Sequence, residues 1–168
     1  MLEINGNLDN PSNGLSNYNV FFNTIINVYS YYLKYFGQDL LAGPELYVDN
    51  ATRDSGYTPV CTPIFKKYVI IKLAITSVDE PDKIIFQFSH ELMHYVYFEK
   101  YGLEKVKADD KEESICTAAS LCMISELYPL ELNRYIEILR RESNNGYREG
   151  VSVAEKVGYT FANLICLI

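Results

Sequence analysis

Between Asn17 and Phe36 the apolar residues Val20, Phe21, Ile25, Val28, Tyr32 and Phe36 recur at near-helical spacing, and Gly37 follows as a C-cap. The spacing predicts a helix over 17–36. The pattern then shortens. Glu45 to Val48 reads as a short strand, 49–56 as a polar turn, and Tyr57 to Cys61 as a second strand broken by Pro59 and Pro63, which suits an edge or a bulge. Residues 67–75, Lys-Tyr-Val-Ile-Ile-Lys-Leu-Ala-Ile, form the clearest strand, β-branched and mostly apolar.

Helical periodicity returns at Asp79-Glu-Pro-Asp, where the proline suits a first turn and the acids suit the positive end of the helix dipole. This helix runs to Tyr101, with Gly102 as its stop. One face collects Lys83, Phe86, Gln87, His90, His94, Tyr97 and Tyr101; the other collects Ile85, Phe88, Leu92 and Val96. Both are largely apolar, which predicts a central helix packed on two sides. A third helix is expected over 109–127 and a fourth from Pro129 to about Glu142. A turn is expected at 144–146, and a fifth helix over 150–167 with Ser152 and Glu155 as a capping box. Residues 1–16, rich in Asn, Gly, Ser and Pro, read as a loose arm ahead of a single domain over 17–168. The order of elements predicts an α+β fold: a small sheet of about three strands, a central helix, and a mostly helical C-terminal half.

The central helix carries the chemistry. Residues 90–94 read His-Glu-Leu-Met-His, and the chain has 2 histidines in all. Positions i and i+4 share a helix face, so His90 and His94 can aim ring nitrogens at one cation. Glu91 lies about 100° around the helix, where it can serve water on that cation without being a ligand. Two imidazoles and one carboxylate base are the parts of the H-E-x-x-H zinc hydrolase pattern. The bland alternative is a chance pattern on an amphipathic helix.

Catalytic zinc commonly takes three protein ligands and leaves a position open. With no histidine remaining, the third must be a carboxylate or a cysteine. Glu112 and Glu113 open the next helix. If Asp109 is its N-cap, Glu112 falls at N3 and completes a D-x-x-E capping arrangement, which leaves Glu113 for the metal; if Asp110 caps, the argument reverses. Thr117 and Ser120 share the face of Glu113, and the small run Thr-Ala-Ala-Ser would let this helix approach the histidine helix closely. Both glutamates could instead be solvated first-turn acids.

With H-E-x-x-H followed by a distal glutamate, the chain resembles the gluzincins, and among them the compact bacterial ImmA/IrrE-like peptidases. Their pattern continues as a helix of the type E-A-N-x-F-A-x-x-L-L-M-P. Here the run is Glu113-Ser-Ile-Cys-Thr-Ala-Ala-Ser-Leu-Cys-Met123: the glutamate, Ala118, Leu121 and Met123 fit, whereas Ser114, Ile115, Thr117 and Ile124 depart. The resemblance spans roughly residues 67–125. It implies a minimal zincin-like domain, a Zn²⁺ held by His90, His94 and Glu113, and a strand, Tyr68 to Ile75 or its neighbour, that binds peptide in extended form.

Composition narrows the partners. The formal charge of −7 and the lack of a Lys/Arg run argue against a general nucleic-acid binder. No stretch approaches 18 apolar residues, so no membrane span is expected, and the N-terminus lacks the form of a secretory signal. Cys61, Cys116, Cys122 and Cys166 make no C-x-x-C pair and read as reduced thiols of a cytoplasmic protein. Tyr57, Tyr147 and Arg148 are candidate donors to a developing oxyanion, each with an ordinary surface role as its alternative. The expectation is a zinc-dependent hydrolase, a peptidase on peptide or protein substrates with Glu91 as general base. The competing readings are a zincin-fold regulatory or binding protein with little turnover, and a hydrolase of non-peptide amides.

Overall fold

The computed structural model describes residues 1–4, 15–50, 58–65, 67–75, 80–102 and 108–168. The fold is α+β. Strands β1 (Leu2–Ile4), β2 (Glu45–Asn50), β3 (Val60–Ile64) and β4 (Tyr68–Leu73) form one sheet in the order β1-β2-β4-β3. β1 and β2 run parallel to β4, and β3 is antiparallel to it. Helix α1 (Leu15–Ala42) lies between β1 and β2 in the chain. The sheet is followed by α2 (Pro81–Tyr101), α3 (Asp110–Leu127), α4 (Leu132–Arg140), α5 (Asn145–Lys156) and the short α6 (Phe161–Leu164).

The sheet has four strands where the pattern predicts about three. The extra one comes from the expected N-terminal arm: Leu2, Glu3 and Ile4 pair with Leu46, Tyr47 and Val48. Three residues are too few for alternation to stand out in a polar neighbourhood. Residues 5–14 of that arm lie outside the described residues. Alternation does place the core face of the longer strands: Leu46, Val48, Val69, Ile71 and Leu73 are all buried. Register puts Leu46 beside Val69 and Val48 beside Ile71, so one apolar face meets the helices.

Gly37 closes the first helical segment of α1, as the spacing predicts. It adopts φ 57° and ψ −135°, and the helical path resumes beyond this kink to Ala42. Positive φ is open to glycine at little cost, so this residue ends one helical segment and lets a second, short one begin. The predicted fourth helix begins instead as a 3₁₀ turn, Pro129–Glu131, and its α-helix ends at Arg140.

The predicted fifth helix is displaced. Asn144 caps α5 by accepting from the Gly146 amide at 2.9 Å, so the expected turn is already the helix start. Ser152 therefore sits inside α5 and is no cap, and the Ser152–Glu155 capping box does not form. Gly158 at φ 66° and Tyr159 at φ 54° then stop the helix well before residue 167.

α2 is central, as its two apolar faces predict. Ile84, Ile85 and every residue from Phe88 to Val96 are buried. α1 ties to it beside the histidines: the Tyr32 hydroxyl donates to the Ser89 carbonyl at 2.6 Å. Gln87 faces the sheet rather than a metal. Its carbonyl accepts from the Ala74 amide at 2.9 Å and its amide nitrogen donates to the Ala74 carbonyl at 3.3 Å. At the helix start the buried Asp82 accepts from the Tyr135 hydroxyl at 2.9 Å and from Arg134. α2 is thus fixed to α1, the sheet and α4 by polar contacts on three sides.

Candidate metal centre

His90 and His94 lie in the most buried stretch of α2, 5% and 7% exposed. Their Nε2 atoms turn toward one carboxylate. Glu113 Oε2 is 3.2 Å from His90 Nε2, and Glu113 Oε1 is 3.8 Å from His94 Nε2. Glu113 comes from the first turn of α3, which packs along α2 with Ala118 and Ala119 fully buried. Ser120 closes the seam by donating to the Phe86 carbonyl of α2 at 2.8 Å. Ligand atoms of His90, His94 and Glu113 all lie within 4.8 Å of one another.

Asp109 is the N-cap of α3, accepting from the Glu112 amide at 2.9 Å. The Glu112 carboxylate does something the capping pattern does not suggest. Instead of reaching back to the cap, it crosses to α2 and meets His94 Nδ1 at 2.7 Å, with Glu112 itself 2% exposed. A carboxylate there accepts the Nδ1–H and leaves Nε2 as the lone-pair nitrogen, which is the form a cation needs. The two adjacent glutamates thus divide the work: Glu113 faces the space between the Nε2 atoms, and Glu112 sets the tautomer of one imidazole.

A second set, His94, Glu112 and Cys116, is also close enough to hold a cation. Cys116 Sγ lies 3.4 Å from His94 Nδ1. This set fits a cation less well, because Nδ1 is already committed to the Glu112 carboxylate. Burial, reinforced by the charges of Glu112 and Glu113, also pushes the Cys116 thiol well up, away from the thiolate that metals bind. The donor set His90, His94 and Glu113, two imidazoles and one carboxylate, suits Zn²⁺.

Glu91 is 5% exposed. Burial raises its carboxyl above the ordinary glutamate range, partly offset by the two histidines and by a hydrogen bond from the Cys61 backbone. Cys61 lies on β3, so the edge strand of the sheet reaches the site through its main chain. For His94, burial alone would lower the imidazole, but the Glu112 bond and the carboxylates of Glu91 and Glu113 outweigh it, and the net shift is upward.

Of the candidate oxyanion donors, Tyr147 is at the site. Its ring meets His90 edge-on, with centroids 5.4 Å apart and planes at 80°. Burial, then the charges of Glu113 and Glu91, pushes its hydroxyl up to about 12, so it stays a protonated donor. Arg148 turns to its own loop instead, donating to the Glu142 and Ser143 carbonyls at 2.7 Å and 3.0 Å. Tyr57 lies outside the described residues.

Tyr147 reaches His90 because α5 lies directly on α3. A Cβ on Gly146 would come within 2.6 Å of Glu113 Cβ, and one on Gly150 within 2.5 Å of Thr117 Cβ. No side chain fits at either position. Thr117, expected on the face toward α2, thus contacts α5. The sequence reading missed Cys61, the orienting role of Glu112 and this glycine seam; the i, i+4 spacing of the two glycines was the available signal.

No family model, curated protein or solved structure matches the chain. Among the described residues, no helix is long and apolar enough to cross a membrane.

Proposed function

We propose that this chain is a zinc-dependent hydrolase acting on peptide bonds. The observation that carries the reading is the pair of contacts on His94: Glu112 at Nδ1, and Glu113 facing the Nε2 atoms of both histidines. A structural ion pair would need one carboxylate. Two, one on each side of the imidazole, match a cation ligand set with its orienting partner. Zn²⁺ bound by His90, His94 and Glu113 would supply a Lewis acid for the carbonyl and a more acidic water.

The remaining roles fall to side chains already in place. Glu91, its carboxyl raised by burial, is the base that takes a proton and returns it to the leaving amine. Tyr147 keeps its proton and offers an O–H to the negative charge that develops on the carbonyl oxygen. Purified protein is expected to hold about one equivalent of zinc, lost in Glu113→Ala and in His94→Ala. Zinc content unchanged in both variants would sink the site. Glu91→Gln is expected to keep zinc and fold while lowering the cleavage rate of a peptide library on the order of 10²–10⁴-fold. Equal cleavage by both proteins would reject Glu91 as the base.

A further inference from the structure

The sheet meets helices on one face. Leu46, Val48, Val69, Ile71 and Leu73 point to that side and are all buried. The alternate residues of the same strands point the other way, and none of them is buried. β1, β2 and β4 are parallel to one another. Parallel strands are as a rule covered on both faces, because their connections place elements over each side. Among the described residues no helix lies over the outward face.

That face is apolar at its centre and divided in charge. Register sets Tyr47 of β2 beside Ile70 of β4, and the Tyr47 and Tyr68 rings meet edge-on with centroids 5.9 Å apart. The β1 and β2 half carries Glu3, Glu45 and Asp49. The Tyr47 hydroxyl donates to Glu45 Oε2 at 3.1 Å, which keeps that carboxylate on the outward side. The β4 half carries Lys72 and, before the strand, Lys67, whose ammonium sits 4.8 Å from the centre of the Tyr68 ring. Asp49 and Lys72 share one row. The face is therefore complementary to itself. A two-fold axis parallel to the strands, between β2 and β4, lays β2 of one copy over β4 of the other. Asp49 then meets the partner's Lys72, and Lys72 meets the partner's Asp49. An axis across the strands would instead stack the acidic half on itself, where like charges repel.

We infer that this outward sheet face joins two copies of the chain in a two-fold dimer. One patch serves both sides of such a contact, so each facing pair forms twice. Facing sheets pack about 10 Å apart with their strands within about 30° of each other. Tyr47 of one copy then falls on the partner's Ile70, and the apolar centre of the face leaves water. The two Asp49–Lys72 pairs flank that centre and fix the orientation. No residue of the metal centre takes part, because the centre lies on the helical side of the sheet, so the dimer forms with or without zinc.

Sedimentation velocity of the full chain across the micromolar range should show a monomer–dimer equilibrium. Asp49→Lys alone and Lys72→Asp alone each set like charges opposite one another twice. Each should raise the dimer Kd about 10-fold or more. An equimolar mixture of the two variants should recover wild-type affinity, because every facing pair is again of opposite sign. Each variant also places like charges side by side within its own chain. That effect persists in the mixture, so recovery reports on the interface alone. Ile70→Lys puts a charge at the centre of the face and should stay monomeric, with its fold checked by circular dichroism. It decides the matter if either reversal variant fails to fold. A wild-type chain that is monomeric throughout overturns the inference and leaves the face to a different partner. So does an Ile70→Lys protein that dimerises as the wild type does. Reversal variants with wild-type affinity, or a mixture of them that stays monomeric, overturn it as well.

Discussion

Removing the Glu112 carboxylate leaves His94 Nδ1 with only the Cys116 thiol, 3.4 Å away and held neutral by burial. The imidazole then loses the partner that fixes its tautomer. Glu112→Ala is expected to lower zinc affinity about 10–100-fold, as loss of an orienting partner does. Glu113→Ala removes a proposed ligand and should cost more. Competition with a chromophoric chelator measures both, and equal losses would mean that the two glutamates have been given the wrong roles. The sequence carried most of this arrangement. Histidine spacing put both imidazoles on one face, whereas the choice between Glu112 and Glu113 hung on whether Asp109 or Asp110 caps α3, which the sequence left open. It could not show where the Glu112 carboxylate goes, because a capping position and a contact across to α2 begin from the same helical turn. Tyr147→Phe keeps the ring against His90 and removes only the hydroxyl. It should leave zinc affinity unchanged and lower kcat rather than raise KM on any peptide that the wild type cleaves. A change confined to KM would make Tyr147 a wall of the site rather than a donor.

The elements that were legible are those whose periodicity runs long. α2 and α3 stand where the apolar spacing places them, and β2 and β4 alternate clearly enough to give the core face. The sequence sets the start of α5 too late because 144–146 reads as a turn and Gly150 as the first residue of the helix, whereas the structure needs Gly146 and Gly150 as the bare face on which α5 meets α3. That difference can be measured. Gly150→Ala gains helix propensity of about 1 kcal/mol. It also drives a methyl to 2.5 Å from Thr117 Cβ and 3.0 Å from the Ser114 carbonyl, neither of which is the far end of a flexible chain. Overpacking of this kind typically costs about 1–3 kcal/mol, so net destabilisation by urea unfolding is expected. Ser152→Ala is the companion. A capping serine would cost about 1 kcal/mol on removal, but Ser152 is exposed inside α5 and its loss should stay within about 0.5 kcal/mol. A stable Gly150→Ala protein beside a weakened Ser152→Ala protein would restore the displaced helix.

At the scale of the whole molecule, the centre joins α2 and α3 directly, and β3 and α5 indirectly through Glu91 and Tyr147. Zinc bound to the folded chain as proposed would stabilise several contacts at once, and mass action would raise unfolding stability by about 2.7 kcal/mol when free zinc is 100 times its Kd. Acidity opposes this. Zinc needs unprotonated imidazoles and carboxylates, so protons compete for the same atoms. The protein's own groups set the sign. Without zinc, the Glu112 bond and nearby carboxylates outweigh burial and raise His94 above its unfolded value. Its folded form binds the proton more tightly, and this contribution is full below the unfolded pKa and lost as pH rises through the folded one. Glu91, raised by burial, acts in the same direction: its folded form also prefers the proton, and stability falls as pH rises from its unfolded toward its folded pKa. Zinc-free protein thus draws stability from these two groups as pH falls, while zinc-loaded protein loses its ligands over the same range. The difference in Tm between zinc-loaded and chelator-treated protein should shrink steadily as pH falls from 8 to about 5.5, across the ordinary histidine range. In Glu113→Ala that difference should be near zero throughout. A gap that stays constant with pH in the wild type would mean that the stabilising cation does not sit on the histidines.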